Sequence, residues 1–118
     1  MFFNVIVAGS RSFNDYNLLK RKLDHLLKNV GDEIVIVSGH ARGADKLGER
    51  YAREKGYRVK VFKADWDKYG KTAGMIRNGI MAGYSNVLVA FWDGKSRGTQ
   101  NMIHLMHQQN KPLRVIQF

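Results

Sequence analysis

With 118 residues, 44% of them hydrophobic and only one a proline, the chain is long enough to bury a core and too apolar for a disordered tail. It has no cysteine, which excludes disulfides and thiolate metal sites and fits a reducing compartment. Its 20 Lys and Arg against 10 Asp and Glu leave a net charge of +10, suited to a phosphorylated ligand, a nucleic acid or an acidic partner, or else to a plain lysine-rich surface.

Along the chain, apolar runs alternate with helix-like segments. Residues 2–8 form the first run; it is short, follows no basic segment and ends in a turn, so it reads as a strand rather than a signal peptide. Residues 15–29 place Leu19, Leu23, Leu26, Leu27 and Val30 three and four apart, with Lys20, Arg21, Lys22 and Lys28 elsewhere, an amphipathic helix. A strand at 33–38 precedes a helix at 44–55 with a shorter stripe of Ala44, Leu47, Tyr51 and Ala52. A strand at 57–64, a loop at 65–71 and a helix at 72–83 come next, then a strand at 86–92, a helix at 99–109 and a strand at 113–118. No stretch nears the roughly 18 apolar residues that span a bilayer. A single domain over residues 1–118 is expected, soluble, cytoplasmic and without a membrane partner.

Strict alternation of strand and helix implies an α/β fold with a five-stranded parallel sheet covered on both faces. Val5-Ile6-Val7-Ala8, Ile34-Val35-Ile36-Val37 and Val87-Leu88-Val89-Ala90-Phe91 are continuously apolar and belong in the middle, whereas 57–63 and 113–117 carry charged or polar residues and belong at the edges. Right-handed crossovers then favour the order 3-2-1-4-5 over 2-1-3-4-5. The winding reverses between the first and fourth strands, and ligands of open α/β sheets sit at the carboxyl ends of the strands beside such a reversal.

Three turns at that edge hold glycine and arginine. Gly9-Ser10-Arg11 is read either as a phosphate turn, with a glycine free to take positive φ, a hydroxyl and a bidentate arginine, or as an ordinary strand exit. In Ser38-Gly39-His40-Ala41-Arg42-Gly43-Ala44-Asp45, helix amides face the same crevice; His40 is a titrating group or incidental, and Asp45 either stabilises the helix dipole or meets a ribose hydroxyl. Asp93-Gly94-Lys95-Ser96-Arg97-Gly98-Thr99 is the sharpest signal, with amides from Gly98 to Gln100 and the Thr99 hydroxyl around an anion; its spacing is not that of a Walker A loop. Arg77 and Asn78, early in a helix, are aimed at the same edge, while Trp66, Tyr69 and Trp92 either stack on a base or cover the core.

Through Ala8-Gly9-Ser10-Arg11, Ser38-Gly39, Ala41-Arg42-Gly43-Ala44-Asp45, Arg77-Asn78 and the turn from Gly94 to Thr99, nearly the whole chain resembles the SLOG superfamily, the Rossmann-like group of the Lonely Guy (LOG) phosphoribohydrolases and the DNA-processing protein DprA. It is most similar to the small YspA/YpsA-related branch. The resemblance implies a Rossmann-like three-layer sandwich that senses or processes nucleotide-derived ligands. It also departs from the LOG pattern Pro-Gly-Gly-x-Gly-Thr-x-x-Glu: the leading proline is missing, an extra residue separates the glycines, and Met102 stands where the catalytic glutamate would be. Asn78 replaces the lysine of the LOG Met-x-x-Arg-Lys motif.

The leading expectation is a binder of a nucleotide or nucleotide-derived phosphate, held by Gly9, Ser10, Arg11, Ser38, Gly39, Arg42, Gly43, Asp45, Arg77, Asn78, Gly94, Arg97, Gly98 and Thr99. A phosphoribohydrolase is the first alternative; cleaving an N-ribosyl bond needs a proton donor and a carboxylate, which Met102 cannot supply, leaving Arg77, Asp93, Glu49 and Asp45 as catalytic candidates. A module for single-stranded nucleic acid, suggested by the charge and by similarity to DprA, is the second. No cofactor and no metal are expected. A homodimer follows from the small size, two exposed sheet edges and the resemblance.

Overall fold

The computed structural model describes all 118 residues. Five strands, β1 (Phe2–Gly9), β2 (Glu33–Ser38), β3 (Arg58–Val61), β4 (Val87–Trp92) and β5 (Leu113–Gln117), form one parallel sheet in the order β3-β2-β1-β4-β5, as the strand composition implies. The helices are α1 (Tyr16–Leu27), α2 (Ala44–Lys55), α3 (Trp66–Tyr69), α4 (Ala73–Tyr84) and α5 (Arg97–Gln108).

The central strands are apolar throughout because each feeds two cores. Val5 and Val7 of β1 join Ile34, Ile36, Val89 and Phe91 under Leu19, Leu23 and Leu27 of α1 and Tyr51 and Ala52 of α2. Ile6 and Ala8 point the other way, with Val35, Val37, Leu88 and Ala90, against Met81 and Ala82 of α4 and Met102 and Met106 of α5. Alternation of side chains along a strand turns a continuous apolar run into two half-cores, each fully buried large side chain contributing about 1.5–3 kcal/mol. The three layers follow directly.

The bounds differ from the sequence expectation where local hydrogen bonds decide. Strand β3 shrinks to Arg58–Val61 because Tyr57 still donates its amide to Ala52 O at the end of α2 (2.9 Å). Residues 65–71, expected as a loop, hold α3 and a following 3₁₀ turn (Gly70–Thr72); the Asp65 carboxylate caps α3 by accepting from Lys68 N at 3.1 Å. Helix α5 starts at Arg97, two residues earlier than expected, because Ser96 takes the N-cap position.

Candidate functional site

Strands β1 and β4 pair through Gly9 and Phe91 at their carboxyl ends, and the chain leaves them in opposite directions across the sheet. There a cleft of about 280 Å³ opens, walled by Gly9 and Arg11 after β1, Gly39 and Ala41 after β2, Asp45 of α2, Arg77, Asn78 and Met81 of α4, and Ser96, Gly98, Thr99 and Met102 at α5. Eight of the fourteen expected ligand residues thus meet in one hollow.

Arg77 organises one wall. Its Nη1 donates to Gly39 O (2.7 Å) and Phe62 O (3.3 Å), and its Nε to Asn78 Oδ1 (3.0 Å). This leaves the two N–H groups of Nη2 without a protein acceptor. Asn78, nearly buried, passes the connection on, its Nδ2 donating to Gly98 O (3.3 Å) and Asn101 Oδ1 (3.0 Å). One arginine and one asparagine therefore tie the β2–α2 turn, α4 and α5 together. Gly39 permits this: a Cβ there would stand 2.8 Å from Arg77 Nη1 and 3.0 Å from Asp45 Oδ2.

Asp45 is only 6% exposed, and its carboxylate accepts from Ala41 N at 3.3 Å. Burial pushes its pKa up to about 6, against the pull of the Ala41 amide and the Arg77 charge. Desolvation likewise holds Arg77 below its ordinary range, partly offset by Asp45. Arg77 stays protonated at any working pH. The two form a facing pair of opposite charge, so the free positive charge of the cleft comes from Arg11, which makes no ion pair.

At α5 the Ser96 Oγ accepts from Thr99 N (3.5 Å), and Gln100 N donates to Ser96 O (3.1 Å). The Thr99 and Gln100 amides are thus spent within the helix, which corrects the expected donor set; the unspent amides of the first turn are those of Arg97 and Gly98. Asp93 braces the turn from behind, one carboxylate oxygen accepting from Lys95 N and Ser96 N, both at 2.8 Å; those two amides hold its pKa low. Trp92 spends its indole N–H on Ser96 O (3.0 Å).

Ser10, Ser38, Arg42, Gly43, Gly94 and Arg97 stand outside the cleft wall, which Gly9 joins. Ser10 is buried, its hydroxyl accepting from Asp93 N at 3.0 Å, so it locks the two turns together. Gly9 does not use a positive φ; glycine is required because a Cβ would strike the Phe91 carbonyl and stand 2.8 Å from Ala44 Cβ. Gly43 does need its φ of 86°, and a Cβ on it would press into the Ser10 and Arg11 backbone. Gly94 turns the chain at φ 82°. Arg42 lines an adjoining open trough with Ser10, Arg11, Ser12, Asp93 and Ser96. Arg97 faces a separate groove between α4 and α5.

Ser38 and Glu49, an expected ligand residue and a catalytic candidate, lie beneath the β2–α2 turn. The Ser38 hydroxyl donates to Glu49 Oε2 (2.7 Å), the same oxygen contacts His40 Nδ1 (2.8 Å), and Lys46 Nζ reaches His40 Nε2 (2.9 Å). The sequence reading missed this network, which holds His40 at a φ of 65°. Its signal was present as two acids, Asp45 and Glu49, one helical turn apart on the buried face of α2.

A three-layer parallel α/β domain with glycine turns around a cleft at its winding reversal is a Rossmann-like fold. The chain belongs to the YspA, cpYpsA-related SLOG family, whose model matches residues 3–69. The gene 61 protein of Mycobacterium phage D29 is 36% identical over 114 residues, 91% of this chain and 88% of that protein. Among solved structures, DNA processing protein A (DprA) of Streptococcus pneumoniae is similar with a TM-score of 0.77 at 18% identity over 99% of this chain, which spans 51% of that one. The DprA of Helicobacter pylori, a protein with a single-stranded DNA binding mode, gives 0.72 at 20% identity over 96% of this chain and 64% of its own length. TM1055 gives 0.68 at 20% identity over 96% of this chain and 72% of its own. These structural likenesses carry the fold.

Proposed function

We propose that the chain binds a nucleotide or nucleotide-derived phosphate, with the anion in the carboxyl-edge cleft between the Gly9 turn, Arg11, Nη2 of Arg77 and the first amides of α5. The observation that carries this reading is the convergence of Gly9, Arg11, Arg77, Gly98 and Thr99, from the end of β1, α4 and α5, on one hollow with an arginine that has no acid partner. Bare amides at a helix start and a bidentate arginine are the groups that recognise phosphate. Asp45, beside them, suits a ribose hydroxyl. Met102 lines the cleft as an apolar side chain, so binding rather than N-ribosyl hydrolysis is the function proposed.

Calorimetric titration with AMP, ADP-ribose, NAD and cyclic nucleotides tests this. At least one should bind, and the heat should vanish in Arg11→Ala and Thr99→Val while the far-UV spectrum stays native. Failure of every nucleotide would overturn the reading.

A single-stranded nucleic acid is the second reading, favoured by the trough of about 480 Å³ that continues the cleft past Arg11 to Arg42. No helix is long and apolar enough to cross a membrane. We read residues 1–118 as one cytoplasmic domain working as a homodimer; a purely monomeric sedimentation profile would remove the last point.

A further inference from the structure

Beside the anion cleft, α4 and α5 leave a second hollow of about 510 Å³ between Gly74, Met75 and Asn78 on one side and Arg97, Gly98, Gln100, Asn101 and His104 on the other. We propose that this groove seats the nucleobase of the ligand, an inference that rests on the anion reading above and extends it to a second subsite.

Continuity is the first ground. Asn78 and Gly98 wall both hollows, so a ligand whose phosphate lies in the cleft needs to pass only over the Asn78–Gly98 contact to reach the groove. Gly98 adds no side chain to that rim, and a Cβ built there would face open space with nothing within 4 Å.

The groove's chemistry is the second ground. It contains no carboxylate and one cation, Arg97, so it is not built for a metal or an ammonium group. Its polar side chains are amides and an imidazole. The Asn78 amide occupies Asn101 Oδ1, which fixes Asn101 with its Nδ2 as the outward donor. Gln100 and His104 lie one helical turn apart on α5 and make no side-chain hydrogen bond within the protein. Donor and acceptor groups of this kind match the edge of a heterocycle, as paired amides match adenine.

The third ground is the flat apolar flank. Met75 is 60% exposed and Trp66 is 55% exposed, although both stand beside a packed domain. The Trp66 ring lies 3.5 Å from the position of a Cβ on Gly74, at the end of the groove. A thioether and an indole next to a glycine-lined slot give a planar π-system a stacking surface. A second phosphate would gain little from them.

The test compares AMP with ribose 5-phosphate, which carries the same anion without the base, on the full chain. AMP should bind about tenfold more tightly, the scale of one stacked base. The Gln100→Ala/His104→Ala double variant, altered only at exposed side chains, should lose part of that advantage and keep its affinity for ribose 5-phosphate. AMP, and not ribose 5-phosphate, should also quench tryptophan fluorescence in the wild type and fail to do so in Trp66→Phe. Equal affinity for the two compounds, or an undiminished preference for AMP in the double variant, would overturn the base subsite while leaving the anion reading intact. Binding of neither compound would remove both.

Discussion

At the scale of single residues, Asp45 is the most consequential group in the cleft. Its carboxyl is pushed up to about 6 from an ordinary 3.8 because burial outweighs the Ala41 amide and Arg77. The folded chain therefore keeps this proton to higher pH than the unfolded chain does. The stabilisation linked to this group is complete below about pH 4 and is lost as the pH rises to about 6, a fall of about 3 kcal/mol for a displacement of this size. Asp24, Glu54 and Asp93 are shifted the opposite way by hydrogen bonds that favour their charged forms, so they lend stability at neutral pH and lose it in acid. Comparison of Asp45→Asn with the wild type isolates the one term. In urea titrations at about pH 4 and about pH 7, the variant should gain stability relative to the wild type on going to the higher pH. A constant difference between the two proteins would mean that Asp45 ionises as freely as a surface carboxylate.

At the scale of elements, the start of α5 decides whether an anion has donors to bind. Ser96 caps the helix through Thr99 N and also walls the cleft, so substitutions there separate stability from binding. Ser96→Ala should lower stability by about 1 kcal/mol through loss of the cap. Ser96→Asp should hold stability near the wild-type value, since aspartate caps equally well, while its carboxylate repels a phosphate and weakens nucleotide binding at least tenfold, or about 1.4 kcal/mol. Thermal unfolding and calorimetry on the same samples check both; an aspartate variant that binds nucleotide normally would move the anion away from this helix. Much of this architecture was legible in the chain. The order of strands could be read from the contrast between Val5-Ile6-Val7-Ala8 and Tyr57-Arg58-Val59-Lys60, because burial on two faces leaves no place for charge. The turns were legible from their glycines, yet the reasons were not: Gly9 answers to the Phe91 carbonyl and Gly39 to the Arg77 guanidinium, neighbours supplied only by the folded chain. Helix α3 escaped because one turn carries no periodicity, although Asp65 three residues before Lys68 marked its cap. The base groove escaped for the same reason as the Arg77 bonds, since both join α4 to elements far away in sequence.

At the scale of the whole molecule, the excess of positive charge is unevenly neutralised. At the amino edge of the sheet Asp24, Asp32 and Glu33 surround a hollow shared with Lys28 and Lys55. Lys55 and Arg58 are paired there with Asp24 and Glu33, at 3.2 and 2.8 Å. At the carboxyl edge Arg11, Arg42 and Arg97 have no acid partner. A strand of nucleic acid drawn to this molecule would meet unpaired guanidinium groups where the cleft opens, and each phosphate neutralised releases counterions. Three such contacts imply that the logarithm of affinity for an oligothymidylate falls against the logarithm of salt with a slope of about −2. Arg42→Ala should make that slope shallower by about 0.7 and weaken binding without regard to base, while Lys20→Ala and Lys22→Ala on α1 should leave the slope unchanged. Fluorescence anisotropy over a salt series measures all three. If the α1 substitutions flatten the slope and Arg42→Ala does not, the strand lies across the helical face, and the carboxyl edge serves only a small nucleotide.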